Sequence, residues 1–298
     1  MRQTLIVLLA ISLIVLFIFG FPILKKWQRQ RIKQRHFPPL WQAIIENNVP
    51  IYLALNPQER RRLQGHIQVF LAEKQFIGCQ GLQVTLEMKV TIAAVACLLL
   101  LNERGTYFPK LQSILIYPNT YFVKEVTSND GYVVEETQVA RLGESWNRDQ
   151  LVLSWEQVQR DTQNWEDGHN VILHEFAHQL DQEDGRAEGV PILLQKSDYQ
   201  FWSKVMLREY QNLCLKVEKG MKTTLDYYGA TNPAEFFAVA TETFLKSRAN
   251  SEKSIPNSTN SCNGTINSIR FSGFKLAIFK FGCVGFRAST QPTRLSFC

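Results

Sequence analysis

The stretch VILHEFAHQL at residues 171–180 is the feature that most limits how this chain can fold. Its histidines, His174 and His178, are four residues apart and therefore lie on one face of a helix, close enough to share a tetrahedral zinc ion. Glu175 lies beside that position, where a carboxylate can accept a proton from a bound water. The flanking residues are uncharged and mostly apolar, as a buried helix requires. We therefore expect a fold that buries one side of this helix and binds one zinc ion (Zn2+) per chain.

A catalytic zinc ion with two histidine ligands needs a third protein ligand and one open position. Asp184 stands at the last position of a longer zinc motif, but position 181 holds Asp181 instead of the glycine that would reverse the chain. Asp181 is better placed to orient a histidine. In a second predicted helix, Glu235 lies three residues after the predicted N-cap Asn232, and Glu242 lies seven residues further along the same face. Spacing alone leaves Glu235 and Glu242 equally eligible as the third ligand.

Segments along much of the chain resemble the MtfA (Mlc titration factor A) zinc peptidase family. The resemblance runs from about residue 49 to residue 244 and rests on these segments, in chain order: FLAEKQF, TIAAVACLLLLN, ILIYP, GESW, LVLSW, NVILHEFAHQLDQEDG followed by GVP, and YYGATNPAEFFAVATETF. It implies a zincin-type metallopeptidase domain, similar to the catalytic domain of anthrax lethal factor. It also implies that Glu235 is the third zinc ligand and that Tyr228 points towards the metal.

The same resemblance implies an enzyme that hydrolyses bonds in peptide or protein substrates by means of a zinc-activated water. Glu175 is then the general base, and Tyr228 is a hydrogen-bond donor to the oxyanion that forms during the reaction. The family also implies an alternative, in which the protein binds and sequesters a sugar-responsive transcriptional repressor and peptidase activity is secondary. No residue pattern in the sequence identifies a surface for such a partner.

The hydrophobic pattern predicts an α+β fold that is mostly helical with a small sheet. An Asn-Pro pair with a glutamate three residues after the Asn marks a helix start at residue 57. Residues 113–123 and 151–155 are typical of strands, and Pro118 interrupts the first of them. The second, LVLSW, is also a candidate edge strand for pairing with an extended peptide substrate. Helices are predicted at residues 57–74, 85–102, 169–181, 198–217 and 233–246.

Residues 5–24 form an uncharged run of twenty residues, LIVLLAISLIVLFIFGFPIL. This length matches the roughly 20 apolar residues that cross a bilayer as one helix, and the run lacks the small-residue cleavage site of a signal peptide. Six basic residues follow it in KKWQRQRIKQR, whereas only Arg2 precedes it. The positive-inside rule then predicts a single transmembrane helix in the inner (cytoplasmic) membrane, with the catalytic domain in the cytoplasm. The basic block is expected to lie against anionic headgroups of the inner leaflet.

The distribution of charge argues against direct nucleic-acid binding, although the whole chain has a net charge of +6. Residues 36–245 contain 18 basic and 26 acidic residues, so the positive charge lies in the two terminal segments. The last segment is rich in Ser and Asn and does not resemble the end of the family. We therefore predict a transmembrane anchor with a basic segment (1–37), a zinc peptidase domain (38–247) and an atypical tail, disordered or aberrant (248–298).

Overall fold

The computed structural model describes residues 2–101, 106–119, 121–129, 133–141, 143–147, 149–165, 167–193 and 195–253. From residue 254 onward, the predicted atypical tail lies outside the described residues.

The described chain is mostly helical and contains a small sheet, which confirms that part of the predicted fold class. Its helices are α1 (Arg2–Lys33), α2 (Pro39–Asn48), α3 (Ile51–Ala54), α4 (Pro57–Glu73), α5 (Leu86–Leu98), α6 (Trp155–Gln163), α7 (Val171–Asp181), α8 (Lys196–Glu218) and α9 (Pro233–Lys253). Short 3-10 helices lie at Gln182–Asp184 and Tyr227–Ala230. The strands are β1 (Gln75–Gly78), β2 (Ser113–Tyr117), β3 (Tyr121–Asn129), β4 (Val133–Arg141), β5 (Gly143–Asn147) and β6 (Gln150–Ser154).

Helix α4 begins at a capping box, as the sequence predicts. The Asn56 side-chain oxygen accepts a hydrogen bond from the Glu59 backbone N–H at 2.9 Å, and the Glu59 carboxylate accepts one from the Asn56 N–H at 3.1 Å. Pro57 occupies the first helical position, where no backbone N–H is needed. Helix α9 begins in a similar way, because Asn232 Oδ1 accepts a hydrogen bond from the Glu235 N–H at 2.9 Å. Both predicted Asn-Pro helix starts are therefore confirmed.

The main sheet has the strand order β1-β2-β6-β5, in which β1, β2 and β6 run parallel and β5 is antiparallel to β6. Strand β6 therefore lies inside the sheet, and the prediction that LVLSW is an edge strand is wrong. Its backbone groups pair with β2 on one side and β5 on the other, and Leu151 and Leu153 are completely buried. The strand at this end of the sheet is β5.

Pro118 ends a strand where the sequence predicted an interruption within one strand. Strand β2 stops at Tyr117, and the chain then forms a separate antiparallel pair, β3 with β4, in which Tyr121 pairs with Arg141. Proline cannot donate the backbone hydrogen bond that a continuing ladder needs. The predicted strand at residues 113–123 is therefore two strands in different sheets.

The core surrounds α5 and supports the rear of α7. Every residue from Val90 to Leu98 is buried, so the apolar sequence of α5 belongs to the protein interior, as predicted. An aromatic cluster then connects α4 with α7, because Phe70 and Phe108 pack on Phe176 with ring centroids 5.7 and 4.7 Å apart. Since Phe176 lies within the motif helix, this cluster fixes the helix face that points away from the histidines.

Helix α1 packs against α4 at its C-terminal end. Arg29 forms a two-pronged ion pair with Glu73, with nitrogen–oxygen distances of 2.6 and 2.7 Å, and Ile32 is buried in the core. Among the residues that the structure describes, no helix combines the length and the apolar character needed to cross a membrane. The predicted transmembrane helix at residues 5–24 is therefore not confirmed.

Candidate metal centre

Helix α7 carries the two motif histidines, and polar side chains hold its first turn. Asn170 caps the helix by accepting a hydrogen bond from the Leu173 N–H at 3.0 Å. The buried Asp161 carboxylate accepts another from the Val171 N–H at 2.6 Å. These contacts satisfy backbone donors that have no partner within the helix. The start of the motif helix is thus fixed by groups from the preceding loop and from α6.

Helix α9 brings a carboxylate to both histidines. Glu235 Oε2 lies 3.0 Å from His174 Nε2 and 3.4 Å from His178 Nε2. The two Nε2 atoms are 3.1 Å apart. The structure therefore brings together the three residues that the sequence analysis proposed as metal ligands, each offering one ligand atom within 4.8 Å of the others.

The spacing of these three atoms fits a tetrahedral metal ion. With zinc–ligand bonds of about 2.0–2.1 Å, the ligand atoms of such a site lie about 3.3–3.4 Å apart. In addition, Glu235 Oε2 is buried and makes no properly aligned hydrogen bond, although two histidine nitrogens lie within 3.4 Å of it. Three possible ligand atoms that converge in a buried site are suited to bind one cation. The residues present therefore fit a metal ion.

Glu242 approaches His174 from the other side of the imidazole ring. Its Oε1 lies 2.6 Å from His174 Nδ1, and its Oε2 accepts a hydrogen bond from the Asn170 backbone N–H at 2.6 Å. Both oxygens therefore have partners, and Glu242 is outside the ligand cluster. Spacing alone left Glu235 and Glu242 equally eligible, and the structure places only Glu235 among the candidate ligand atoms.

The charges in the centre favour a positive species between the carboxylates. Burial lowers the pKa of His174, but the adjacent Glu235 and Glu242 carboxylates outweigh it and raise that pKa to about 10. Burial likewise raises the pKa of Glu235, and the two histidines outweigh it and bring that pKa down to about 2. A bound metal cation can take the place of the proton that these groups would otherwise retain.

Glu175 and Tyr228 lie at the border of the centre. Glu175 is buried, and burial raises the pKa of its carboxyl although the nearby histidines oppose the shift. The ring of Tyr228 lies 6.1 Å from that of His174 and is 55% exposed. Partial burial and the Glu235 and Glu175 carboxylates raise the pKa of Tyr228, so its hydroxyl keeps its proton at neutral pH.

The other acidic candidates have different roles. Asp184 is exposed at the end of a 3-10 helix, where it accepts a hydrogen bond from the Arg186 N–H, outside the ligand cluster. Asp181 is buried and accepts hydrogen bonds from the Gly189 and Val190 N–H groups at 2.9 and 2.6 Å. The hypothesis that Asp181 orients a histidine is therefore wrong, because its carboxylate holds the loop after α7.

The roles of Asp161 and Glu242 at the start of α7 were not predicted from the sequence. Asp161 contacts α7 only because α6 turns back against it, and no spacing rule links a carboxylate ten residues earlier to a helix start. Glu242 did carry a signal, since it shares a helix face with Glu235. That signal could not separate a metal ligand from a residue that hydrogen-bonds to a ligand.

Two histidines and a glutamate from a later helix, with a buried glutamate beside them, form a cluster that can hold a metal ion. The family described as glucose-regulated metallo-peptidase M90 matches residues 24–260, and the chain belongs to this family. An uncharacterized protein of Synechocystis sp., slr2042, is 48% identical over 247 residues, which cover 83% of this chain and 90% of that protein.

Relatives with a functional name are more distant. Mlc titration factor A of Escherichia fergusonii is 30% identical over 222 residues, covering 74% of this chain and 82% of that protein. The protein of the same name from Yersinia pestis is 31% identical over 201 residues, covering 66% and 73%. The predicted membership in the MtfA family is thus confirmed.

Proposed function

We propose that this protein hydrolyses peptide bonds in peptide or protein substrates, with one zinc ion held by His174, His178 and Glu235. The observation that carries the proposal is the convergence of their three ligand atoms, which lie 3.0–3.4 Å apart. A site with three protein ligands leaves one position for water or substrate, as catalytic zinc sites do. Membership in a metallopeptidase family supports the same reaction class.

Glu175 and Tyr228 supply the proton and the hydrogen bond that this reaction needs. When bound, zinc lowers the pKa of a water to about 7 and polarises a carbonyl oxygen. Glu175 accepts the proton of the attacking water and passes it to the leaving amine, and its burial strengthens its hold on that proton. Tyr228 keeps its hydroxyl proton at neutral pH and donates a hydrogen bond to the developing oxyanion.

Strand β5 is the proposed docking edge for an extended substrate. It stands at the end of the strand order and packs next to α7, which carries the metal ligands. A peptide can add to such an edge through backbone hydrogen bonds, largely independent of its side chains. This assigns to β5 the pairing role that the sequence analysis gave to LVLSW.

The proposal is tested by zinc content and peptide hydrolysis in the full chain. Glu175→Gln should keep one zinc per chain and lose hydrolysis, because the ligands remain but the base does not. Glu235→Ala should lose zinc and activity together. Asp184→Asn, an exposed acid near the motif, is the matched control and should match the wild type. Unchanged hydrolysis in Glu175→Gln would refute the role of Glu175.

Repressor binding is a second candidate function, favoured by the name Mlc titration factor A of several relatives. Under this proposal the chain binds a sugar-responsive transcriptional repressor, and its peptidase activity is secondary. Glu175→Gln separates the two candidates, because a binding protein would retain its regulatory effect without hydrolysis. Loss of regulation in this variant would contradict a purely sequestering role.

We further propose that residues 5–24 attach the protein to the inner membrane, with the metallopeptidase domain in the cytoplasm. The uncharged run and the basic block after it support this proposal. Large apolar side chains are also exposed along this part of α1, among them Ile6, Leu9, Ile11, Leu16, Ile18 and Phe19. Extraction should require detergent, and release by high salt alone would contradict the attachment, because salt screens charges only.

A further inference from the structure

We infer that Glu242 is a positioning residue, which holds His174 in the tautomer and orientation that a metal ligand needs. The inference rests on the proposed metal centre and extends it, because Glu242 acts through His174 and does not itself contact the cation. Three observations carry it: the contacts of both carboxylate oxygens, the burial of the side chain and its place on α9.

Both Glu242 oxygens are engaged, and the contact to His174 determines which ring nitrogen carries hydrogen. Oε1 lies 2.6 Å from His174 Nδ1, Oε2 accepts the Asn170 N–H at 2.6 Å, and the residue is only 4% exposed. Because an ionised carboxylate only accepts hydrogen bonds, Nδ1 must be the protonated nitrogen. When His174 is neutral, its Nε2 then carries the lone pair, and this nitrogen faces the cluster, where Glu235 Oε2 lies 3.0 Å away.

Helix α9 carries both Glu235, a proposed ligand, and Glu242, which positions the proposed ligand His174. Glu235 and Glu242 are seven residues apart, which is two helical turns or about 10 Å along the axis. The imidazole of His174 lies between their carboxylates, with one nitrogen near each. One rigid element thus sets the location of Glu235 and the orientation of His174 together.

Replacing Glu242 by glutamine should disturb this arrangement without changing its size. An amide has a single acceptor oxygen, so either the Asn170 N–H or the His174 Nδ1–H loses its partner. If the NH2 group faces Nδ1, the ring favours the tautomer with hydrogen on Nε2, which points at the cation. Removing the hydrogen-bond partner of a metal-bound histidine typically weakens metal binding by about 10–100-fold.

Asp161 offers a matched control at the same end of α7. Its buried carboxylate accepts the Val171 N–H at 2.6 Å and the Gln157 side-chain N–H at 2.7 Å. It therefore supports the helix start as Glu242 does through Asn170, but neither of these bonds is to a candidate ligand. Asp161→Asn therefore measures how much a weakened start of α7 changes zinc affinity by itself.

The experiment compares zinc affinity in the full chain for the wild type, Glu242→Gln and Asp161→Asn, by competition with a chelator. Thermal unfolding of each metal-free protein measures the structural cost. We expect the zinc dissociation constant of Glu242→Gln to rise about 10–100-fold, with one zinc still bound at saturation. Asp161→Asn should keep the wild-type constant while losing comparable thermal stability. An unchanged constant in Glu242→Gln, or an equal rise in Asp161→Asn, would overturn the positioning role.

A second measurement needs no variant and decides the matter if Glu242→Gln does not fold. Nitrogen-15 NMR of the zinc-loaded wild type should place the hydrogen of His174 on Nδ1, and hydrogen on Nε2 would overturn the inference. The two proposals also fail separately. A wild type that binds zinc but hydrolyses no peptide refutes the proposed function and leaves the role of Glu242 standing.

Discussion

Gly189 lies where no side chain fits, and its replacement by alanine should disturb the metal centre from a distance. Its φ is +74°, and an added Cβ would lie 2.3 Å from the carbonyl oxygen of Pro233. Real Cβ contacts are essentially never shorter than 3.0 Å, so the two backbones would have to separate by about 0.7 Å or more. Pro233 begins α9, two residues before Glu235. The clash therefore pushes on the turn that carries a proposed ligand.

The expected magnitude has two parts. Alanine in the left-handed region costs roughly 1–2 kcal/mol even in open space. The loop cannot simply withdraw, because Asp181 accepts the Gly189 N–H and Trp202 donates to the Gly189 carbonyl at 3.1 Å. We therefore expect Gly189→Ala to lower the free energy of unfolding by about 3 kcal/mol, or the melting temperature by about 6–12 °C. Displacement of Glu235 should also weaken zinc binding by about tenfold or more.

Gly81→Ala is the matched control for this prediction. Gly81 has a φ of +80°, and nothing lies within 4 Å of its added Cβ. Gly81→Ala should therefore lower the free energy of unfolding only by the roughly 1–2 kcal/mol that alanine costs in the left-handed backbone region, and it should keep wild-type zinc affinity. Thermal unfolding of the metal-free proteins and chelator competition measure both effects. Equal losses in the two variants, with unchanged zinc affinity, would refute the argument from the Pro233 contact.

Two further predictions concern stability. Deleting residues 1–37 should lower the free energy of unfolding by about 3 kcal/mol more than deleting residues 1–23 does. The longer deletion also removes the Arg29–Glu73 pair and the buried end of α1. Equal midpoints of urea unfolding for the two deletions would contradict this packing. Acidification from pH 6.5 to 4.5 should lower the free energy of unfolding by up to about 1.4 kcal/mol per pH unit from His66 alone. Burial lowers the pKa of His66 to about 3, so on acidification the unfolded chain takes up the proton before the folded chain does, and stability decreases as the pH decreases. His66→Phe should reduce the slope of unfolding free energy against pH, and an unchanged slope would exclude His66 as its source.

The sequence predicts those parts of the fold that depend on neighbouring residues. The starts of α4 and α9 follow from an Asn, a Pro and a Glu within four positions, and the hydrogen bonds that define them are local. The place of β6 in the sheet is not local, because it depends on β5 returning antiparallel beside it. A buried interior strand and an edge strand with one apolar run look alike in sequence, and only the pairing separates them.

The same distinction holds for the metal centre. His174 and His178 are neighbours because one helix carries both, so their spacing alone is enough to predict them. The position of Glu235 depends on how α9 crosses α7, and only the family resemblance predicts it as a ligand. The hydrogen bond from His174 Nδ1–H to Glu242 depends on that same crossing, which no spacing within either helix reveals.

The crossing of α7 and α9 is held at both ends by residues that are not ligands. At the start of α7, the Asn170 N–H donates to Glu242 of α9. At its end, Asp181 binds the Gly189 N–H, and Gly189 in turn lies against Pro233 at the start of α9. These two contacts lie more than two turns apart along α7, so together they oppose rotation of α9 against α7. The ligand spacing of the centre therefore depends on Glu242 and Gly189 as well as on the geometry of the motif helix.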